Sequence, residues 1–298
     1  MRGFIHNYKE TIVKILVTGA KGMLGSDLCP IWSEQHQVLA TDIEEMDVRR
    51  PEVVFKTFES FKPDLVLHLA ALTDVDGCEK QPDAAYHTNA IGTQVVALAC
   101  QKFEAELVYI STLSVYDGTA SEPYTEFDTP NPRSHYSRSK YHGEVTVQSL
   151  LRRYYIVRAG WMFGGGLEDK KFVAKIMELA RSRSTLQIVD DKFGSPTHTC
   201  DLARGILRLV QTGWYGTYHM VNTGGAPSRY EIARHILQYA GIATCQLQPV
   251  SSAYFPLPAP RPRMEAGRNL HLELMGLELM QPWSSALQDY IQNRLLKA

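Results

Sequence analysis

Short apolar runs alternate along the chain with longer stretches whose apolar positions recur at helical spacing, and this alternation is regular through residue 160. "VKILVTG" (13–19) is apolar enough to be a strand buried on both faces, and "MLGSDLCPIWSE" (23–34) follows as a helix that Pro30 shortens or kinks. "QVLATD" (37–42) reads as a second strand. "PEVVFKTFESF" (51–61) is a helix opening on a proline, whose missing N–H is no loss in a first turn. A third strand, "DLVLHLAA" (64–71), a long helix over 82–103 and a fourth strand, "ELVYIST" (106–112), come next. "HYSRSKYHGE" (135–144) has helical character and leads to a strand "YYIVRAGWMF" (154–163). Strand–helix alternation of this kind predicts an α/β, doubly wound parallel sheet of the Rossmann type.

Beyond residue 163 the regularity weakens. "KKFVAKIMELARS", "DLARGILRLVQ" and "SRYEIARHILQYAG" read as helices, "TYHMVN" as a strand, 249–269 as a proline-rich irregular stretch, and "WSSALQDYIQNRLL" as a closing helix. The expected organisation is a Rossmann domain over 14–160, to which 199–222 returns, and a smaller C-terminal substrate-binding domain from 161–198 and 223–298. Residues 1–13 are expected to form an N-terminal extension. The polar, proline-bearing stretch 117–135 is too long for a bare connection, which points to function.

Composition narrows the class. The 298 residues are 44% hydrophobic and 21% charged, ordinary for a globular protein, and the net charge of −1 with no long basic run offers nothing to nucleic acid or an anionic membrane. Cys29, Cys78, Cys100, Cys200 and Cys245 form no C-x-x-C pair or metal-ligand cluster, as expected of free thiols in a reducing compartment. Arg2, His6, Lys9 and Glu10 interrupt any signal-peptide pattern, and no segment approaches the roughly 20 apolar residues that span a bilayer. The expected location is the cytoplasm.

"TGAKGMLGSDL" places Gly19, Gly22 and Gly25 between the first strand and the first helix. Glycines there permit a tight turn, close approach of backbone to a pyrophosphate and close helix packing, while the helix N-terminus supplies N–H donors. Met23 and Leu24 in the same turn, and Ile43 further on, are candidate cofactor contacts. Asp42 ends the second strand where a carboxylate would bind an adenosine ribose hydroxyl and repel a 2′-phosphate, favouring NAD(H). Lys21, Arg49 or Arg50 would offset that charge, leaving NADP(H) possible. Asp47 with Val48 either flanks the adenine, or Asp47 caps the helix at Pro51.

One helical turn puts Tyr136 and Lys140 on the same face. A phenol with an unperturbed pKa of about 10 can protonate an oxygen that receives a hydride, and a nearby ammonium would favour its anion. Lys140 would also hold the nicotinamide ribose. Ser111, Thr112 and Ser114 end the fourth strand, where open α/β sheets bind ligands.

Thr112, Tyr136 and Lys140 together are similar to the triad of the short-chain dehydrogenase/reductase superfamily. Within its extended branch the chain resembles the dTDP-4-dehydrorhamnose reductases over nearly everything after residue 13: "ILVTGAKGMLGSDL", "LHLAALTDVDGCEKQPDAAYHTNAIGT", "YISTLSVYDG", "YSRSKYHGE", "YIVRAGWMFG", "FGSPTHTCDLARGI", "YGTYHMVN" and a late "APRP". The resemblance implies NADH- or NADPH-dependent reduction of the 4-keto group of a nucleotide-linked 6-deoxysugar. Ala70, Ala71, Thr73 and Asn89 would line the cofactor; Thr73, Val75, Trp161 and Arg261, with Thr112 and Tyr136, would meet the sugar nucleotide. Trp161 as buried packing and Arg261 as a salt-bridge partner are the alternatives. The chain departs from the usual pattern at Leu113 and Ser114, where Asp and Tyr are usual, at Lys171 and Lys192, and in "RPRMEAG" after the Arg-Pro, mostly near the expected sugar. An NAD-retaining epimerase or dehydratase, and a non-catalytic subunit resembling the partner of methionine adenosyltransferase, are the other readings. Some relatives bind magnesium at a subunit contact, where Asp27 is the candidate against a plain exposed helix acid, and homodimers are common among them.

Overall fold

The computed structural model describes residues 12–166, 169 and 171–297, so all but the last two residues of the expected N-terminal extension lie outside the described residues. The first strand, β1 (Lys14–Thr18), buries everything after its lysine and is flanked on both sides by parallel neighbours, β2 (Gln37–Thr41) and β3 (Leu65–His68). Between them run α1 (Met23–Ser33), which continues through Pro30, and α2 (Pro51–Phe61). The chain then forms α3 (Val75–Lys80), α4 (Pro82–Tyr86), a π turn over His87–Gly92 and α5 (Thr93–Phe103) before β4 (Glu106–Thr112). The helix expected over 82–103 is thus widened in its middle. Next come α6 (His135–Leu150) and β5 (Tyr154–Ala159).

The strand expected over 154–163 breaks at Gly160. Backbone passes so close there that a Cβ would lie 2.1 Å from the Ser195 carbonyl oxygen. Past the break, β6 (Trp161–Phe163) leaves the main sheet, followed by α7 (Phe172–Ser182), β7 (Thr185–Val189), β8 (Phe193–Gly194) and β9 (Pro196–His198), the strand with which β6 pairs. α8 (Thr199–Val210) and β10 (Gly216–His219) rejoin the main body. The remainder is α9 (Arg229–Ala240), β11 (Gln246–Val250), β12 (Met264–Glu265), α10 (Leu270–Leu274) and α11 (Trp283–Tyr290), with β11 on β7 and β12 on β8.

The main sheet has the order β2-β1-β3-β4-β5-β10, parallel throughout. Strand periodicity sends Ile15, Val17, Leu65, Leu67, Val108 and Ile110 to one face, where α1 and α8 cover them; Leu16, Val66, Leu107 and Tyr109 point to the other, under α2, α5 and α6. The strand order reverses between β1 and β3, which opens a crevice at their C-terminal ends. The five cysteines are unpaired, and among the described residues no helix is long and apolar enough to cross a membrane.

A buried polar network lies under α6. Arg158 on β5 binds both Glu144 oxygens (Nη2 to Oε2 2.6 Å), Ser111 Oγ donates to Glu144 at 2.5 Å, and Arg158 Nη1 donates to the Tyr116 hydroxyl at 2.7 Å. Tyr116 in turn meets His219 Nε2 at 2.8 Å. Replacing Glu144 with alanine is expected to cost about 3–5 kcal/mol of stability, read by urea unfolding, because it leaves a guanidinium buried without its counter-charge.

Candidate active site

The glycine turn closes the crevice from below. Gly19 has φ +68°, and a Cβ there would sit 2.7 Å from the Ala70 nitrogen; one at Gly25 would sit 2.4 Å from the Ala20 carbonyl oxygen. These contacts require glycine at both positions. Gly22 is the N-cap of α1 and supplies no side-chain cap, so the first N–H groups of the helix are left to an anion. The groove above measures about 980 Å³. Gly19, Gly22, Met23, Leu24 and Gly25 line its base; Asp42, Ile43, Asp47 and Val48 line the side nearer β2. Ala70, Ala71, Thr73 and Val75 line it after β3, Thr112 and Tyr136 after β4, and Trp161 and Arg261 beyond β5. Size, glycine contacts and open helix N-terminus all fit a dinucleotide.

Asp42 accepts the Lys21 N–H at 2.9 Å and the Ile43 N–H at 2.8 Å. The cations expected to offset it are already engaged. Lys21 Nζ meets Glu44 at 2.8 Å and Glu45 at 3.0 Å, Arg49 pairs with Asp47 at 2.7 Å, and Arg50 with Glu52 at 2.8 Å. Asp47 does not cap α2, which starts after Arg50 without a side-chain cap; it accepts the Arg49 N–H and guanidinium instead, which holds its carboxyl below the usual range.

A chain of hydroxyls fixes Tyr136 relative to Thr112. Thr112 Oγ1 lies 3.0 Å from Ser114 Oγ, Ser137 Oγ donates to Ser114 at 3.2 Å, and Ser134, the N-cap of α6, lies 2.8 Å from Ser137. The end of β4 is thereby tied to the start of the helix that carries the phenol. Burial pushes the Tyr136 phenol up, and a hydrogen bond with Thr112 opposes the rise. Lys140 is buried one turn on, its Nζ 4.1 Å from the centroid of the Tyr109 ring. Burial lowers its pKa to about 7 against the pull of Glu144. The neighbouring His68, bonded to Thr18 at 2.8 Å and Thr93 at 3.1 Å, is pushed down to about 3 by burial and is neutral.

Two residues expected at the cofactor do not line the groove: Lys140, which lies beneath it, and Asn89. Asn89 is fully buried in the π turn, where its amide bonds Leu72 N–H and carbonyl (2.8 and 3.1 Å) and Ser139 (3.0 Å), so it anchors the groove-lining loop after β3 to α6. Arg261 forms a salt bridge with Asp76 at 2.8 Å, and its carbonyl accepts Lys192 Nζ at 2.7 Å. Asp27 is not the exposed helix acid that was expected. It is buried and accepts from Gly165 N–H (2.8 Å), Thr199 Oγ1 (2.5 Å) and Arg294 (2.7 Å), and among the described residues no group of His, Cys, Asp or Glu side chains could hold a metal.

Sequence reasoning missed Arg229 and Glu265, both of which line the groove beside Trp161. Trp161 Nε1 donates to Glu265 at 3.0 Å, and the Arg229 guanidinium lies 3.6 Å from the indole centroid. Local pattern hides them. Arg229 is the first residue of α9, inside the Ser228–Glu231 capping box, a position that ordinarily faces water.

A parallel sheet with a glycine turn at its switch point, and a Thr, Tyr and Lys set carried on β4 and α6, define an extended short-chain dehydrogenase/reductase. The family described as RmlD substrate binding domain matches residues 13–296. The dTDP-4-dehydrorhamnose reductase of Mycobacterium tuberculosis H37Rv is 36% identical over 92% of this chain and 91% of its own. The spore coat polysaccharide biosynthesis protein SpsK of Bacillus subtilis is 34% identical over 95% and 98%. In structure, the chain is similar to the dTDP-4-dehydrorhamnose reductase of Bacillus anthracis in complex with NADP (TM-score 0.91, 36% identity, covering 94% of this chain and 99% of that one). The chain belongs to the dTDP-4-dehydrorhamnose reductase family and is an NAD(P)H-dependent oxidoreductase.

The lowered pKa of Lys140 has a measurable consequence. Between about pH 7 and the ordinary lysine range the unfolded chain holds a proton that the folded chain does not, so stability rises with pH across that window. Lys140→Met is expected to abolish turnover yet raise the melting temperature at pH 7, with the gain shrinking as pH rises towards 10 in a calorimetric series.

Proposed function

We propose that the chain reduces the 4-keto group of a nucleotide-linked 6-deoxysugar, as in dTDP-L-rhamnose synthesis, and prefers NADH to NADPH. The observation that carries the reaction is that Thr112 and Tyr136 line one groove able to hold a dinucleotide and a sugar, with Thr112 tied through Ser114 and Ser137 to the first turn of the helix that bears the phenol. Bound NAD(P)H supplies the hydride that adds to C4. Tyr136 gives the phenolic proton to O4, so that the C=O becomes CH–OH, and burial keeps that proton on the phenol until the oxygen becomes basic. Thr112, oriented by Ser114, donates to the same oxygen and holds it in line. Lys140, when protonated, stabilises the phenolate that remains.

The cofactor preference rests on the β2 side of the groove. A 2′-phosphate needs a free cation, and Lys21, Arg49 and Arg50 are each paired with an acid. In the similar B. anthracis structure NADP is the cofactor present, so the balance here would be one of rate rather than exclusion.

With a dTDP-4-keto-6-deoxysugar, NADH oxidation followed by near-ultraviolet absorbance is expected to fall by about 10²–10⁴ in Tyr136→Phe, with cofactor affinity kept. Turnover of that variant at the parent rate would overturn the assigned role. The double variant Glu44→Gln/Glu45→Gln frees Lys21 and is expected to shift the NADPH to NADH ratio of kcat/KM upward by about tenfold.

A further inference from the structure

Trp161 is held on three sides. A Cβ built on Gly194 would lie 2.4–2.6 Å from the indole Cε2, Cζ2 and Cδ2, so the Gly194 backbone is pressed against one face of the ring. The Arg229 guanidinium lies 3.6 Å from the ring centroid, and two groups that close cannot share a face, so it covers the other. The indole N–H is tied to Glu265. A ligand entering here therefore meets the edge of the indole and the guanidinium laid over it, not an open aromatic face.

Arg229 is also 4.9 Å from the Phe172 ring centroid, between two aromatic planes that fix its orientation without using its N–H groups. Among the described residues no carboxylate forms an ion pair with it. Glu265 accepts from Trp161 through one oxygen and attracts Arg229 only at a distance, and Arg261, whose charge acts unfavourably on Arg229, is paired with Asp76. Burial lowers the pKa of Arg229 to about 10, the mark of a cation stripped of water without full compensation. Lys171, which precedes Phe172, adds a second cation to the same stretch of groove. The same Glu265 carboxylate acts electrostatically on Tyr136, and the cluster lines the same groove as the proton donor.

We propose that Arg229 binds the diphosphate of the nucleotide sugar, its planar fork gripping phosphoryl oxygens while Trp161 and Phe172 hold it flat. The proposal rests on the nucleotide-sugar function given above. In such a substrate the β-phosphate is bonded to the anomeric oxygen, one ring's width from C4. An anion site in the groove that Tyr136 lines therefore sets how far the sugar reaches toward the phenol.

Isothermal titration of the NADH-saturated protein with dTDP and dTMP tests it. The parent is expected to prefer dTDP; Arg229→Gln should weaken dTDP at least about tenfold, leave dTMP little changed and keep NADH affinity. A preference for dTDP in Arg229→Gln equal to the parent's overturns the proposal and leaves the reductase assignment standing. If Arg229→Gln no longer holds NADH, Arg229→Met, whose unbranched chain still covers the indole, decides by the same comparison. If the parent binds neither nucleotide, the nucleotide-sugar function falls and this site with it.

Discussion

One buried ion pair, Arg158 with Glu144, sets the terms for the half of the sheet that carries the chemistry. A guanidinium and a carboxylate removed from water must have nearly all their hydrogen bonds met, and here the partners come from separate elements: Ser111 from β4, Tyr116 from the loop after it and, through Tyr116, His219 from β10. Meeting those bonds fixes β4, β5 and β10 against α6. Because Ser111 precedes Thr112 and Glu144 follows Lys140 by one turn, the same pair fixes the separation between the strand that offers the hydroxyl and the helix that offers the phenol and the amine. The active site is thus positioned from below, by charge, before any ligand contributes.

Features that depend on neighbours in sequence were legible in it. The glycine turn, the continuous apolar strands and the proline at the start of α2 each follow from local sequence and appear where the sequence places them. Features that depend on a partner far along the chain were not. Gly160 looks like any glycine in a strand until Ser195 is found against it, and Asp27 looks like a surface acid until Thr199 and Arg294 arrive from far along the chain. Lys21 shows the same limit at short range: its charge was visible, its capture by Glu44 and Glu45 was not.

The departures from the usual family pattern find physical places. Ser114 supplies the middle link of the hydroxyl chain, and Leu113 is buried with Val115 and Tyr116 against Met264 and Ala266. Lys192 braces the Arg261 backbone. Thr112, Tyr136 and Lys140 are present while their surroundings differ from the usual pattern, so under the proposed function the changes bear on which sugar is held rather than on how hydrogen is transferred. The groove has two chemically distinct sides: acid-saturated near β2, and cation-rich where Lys171, Arg229 and Arg261 gather beyond β5.

Asp27 joins parts of the chain that sequence order keeps far apart. It sits on the first helix, whose open end is offered to phosphate, and it grips Gly165 and Thr199 from the middle of the chain and Arg294 near the C-terminus. The helix that opens the groove and the last turns of the chain therefore share one buried carboxylate as their anchor.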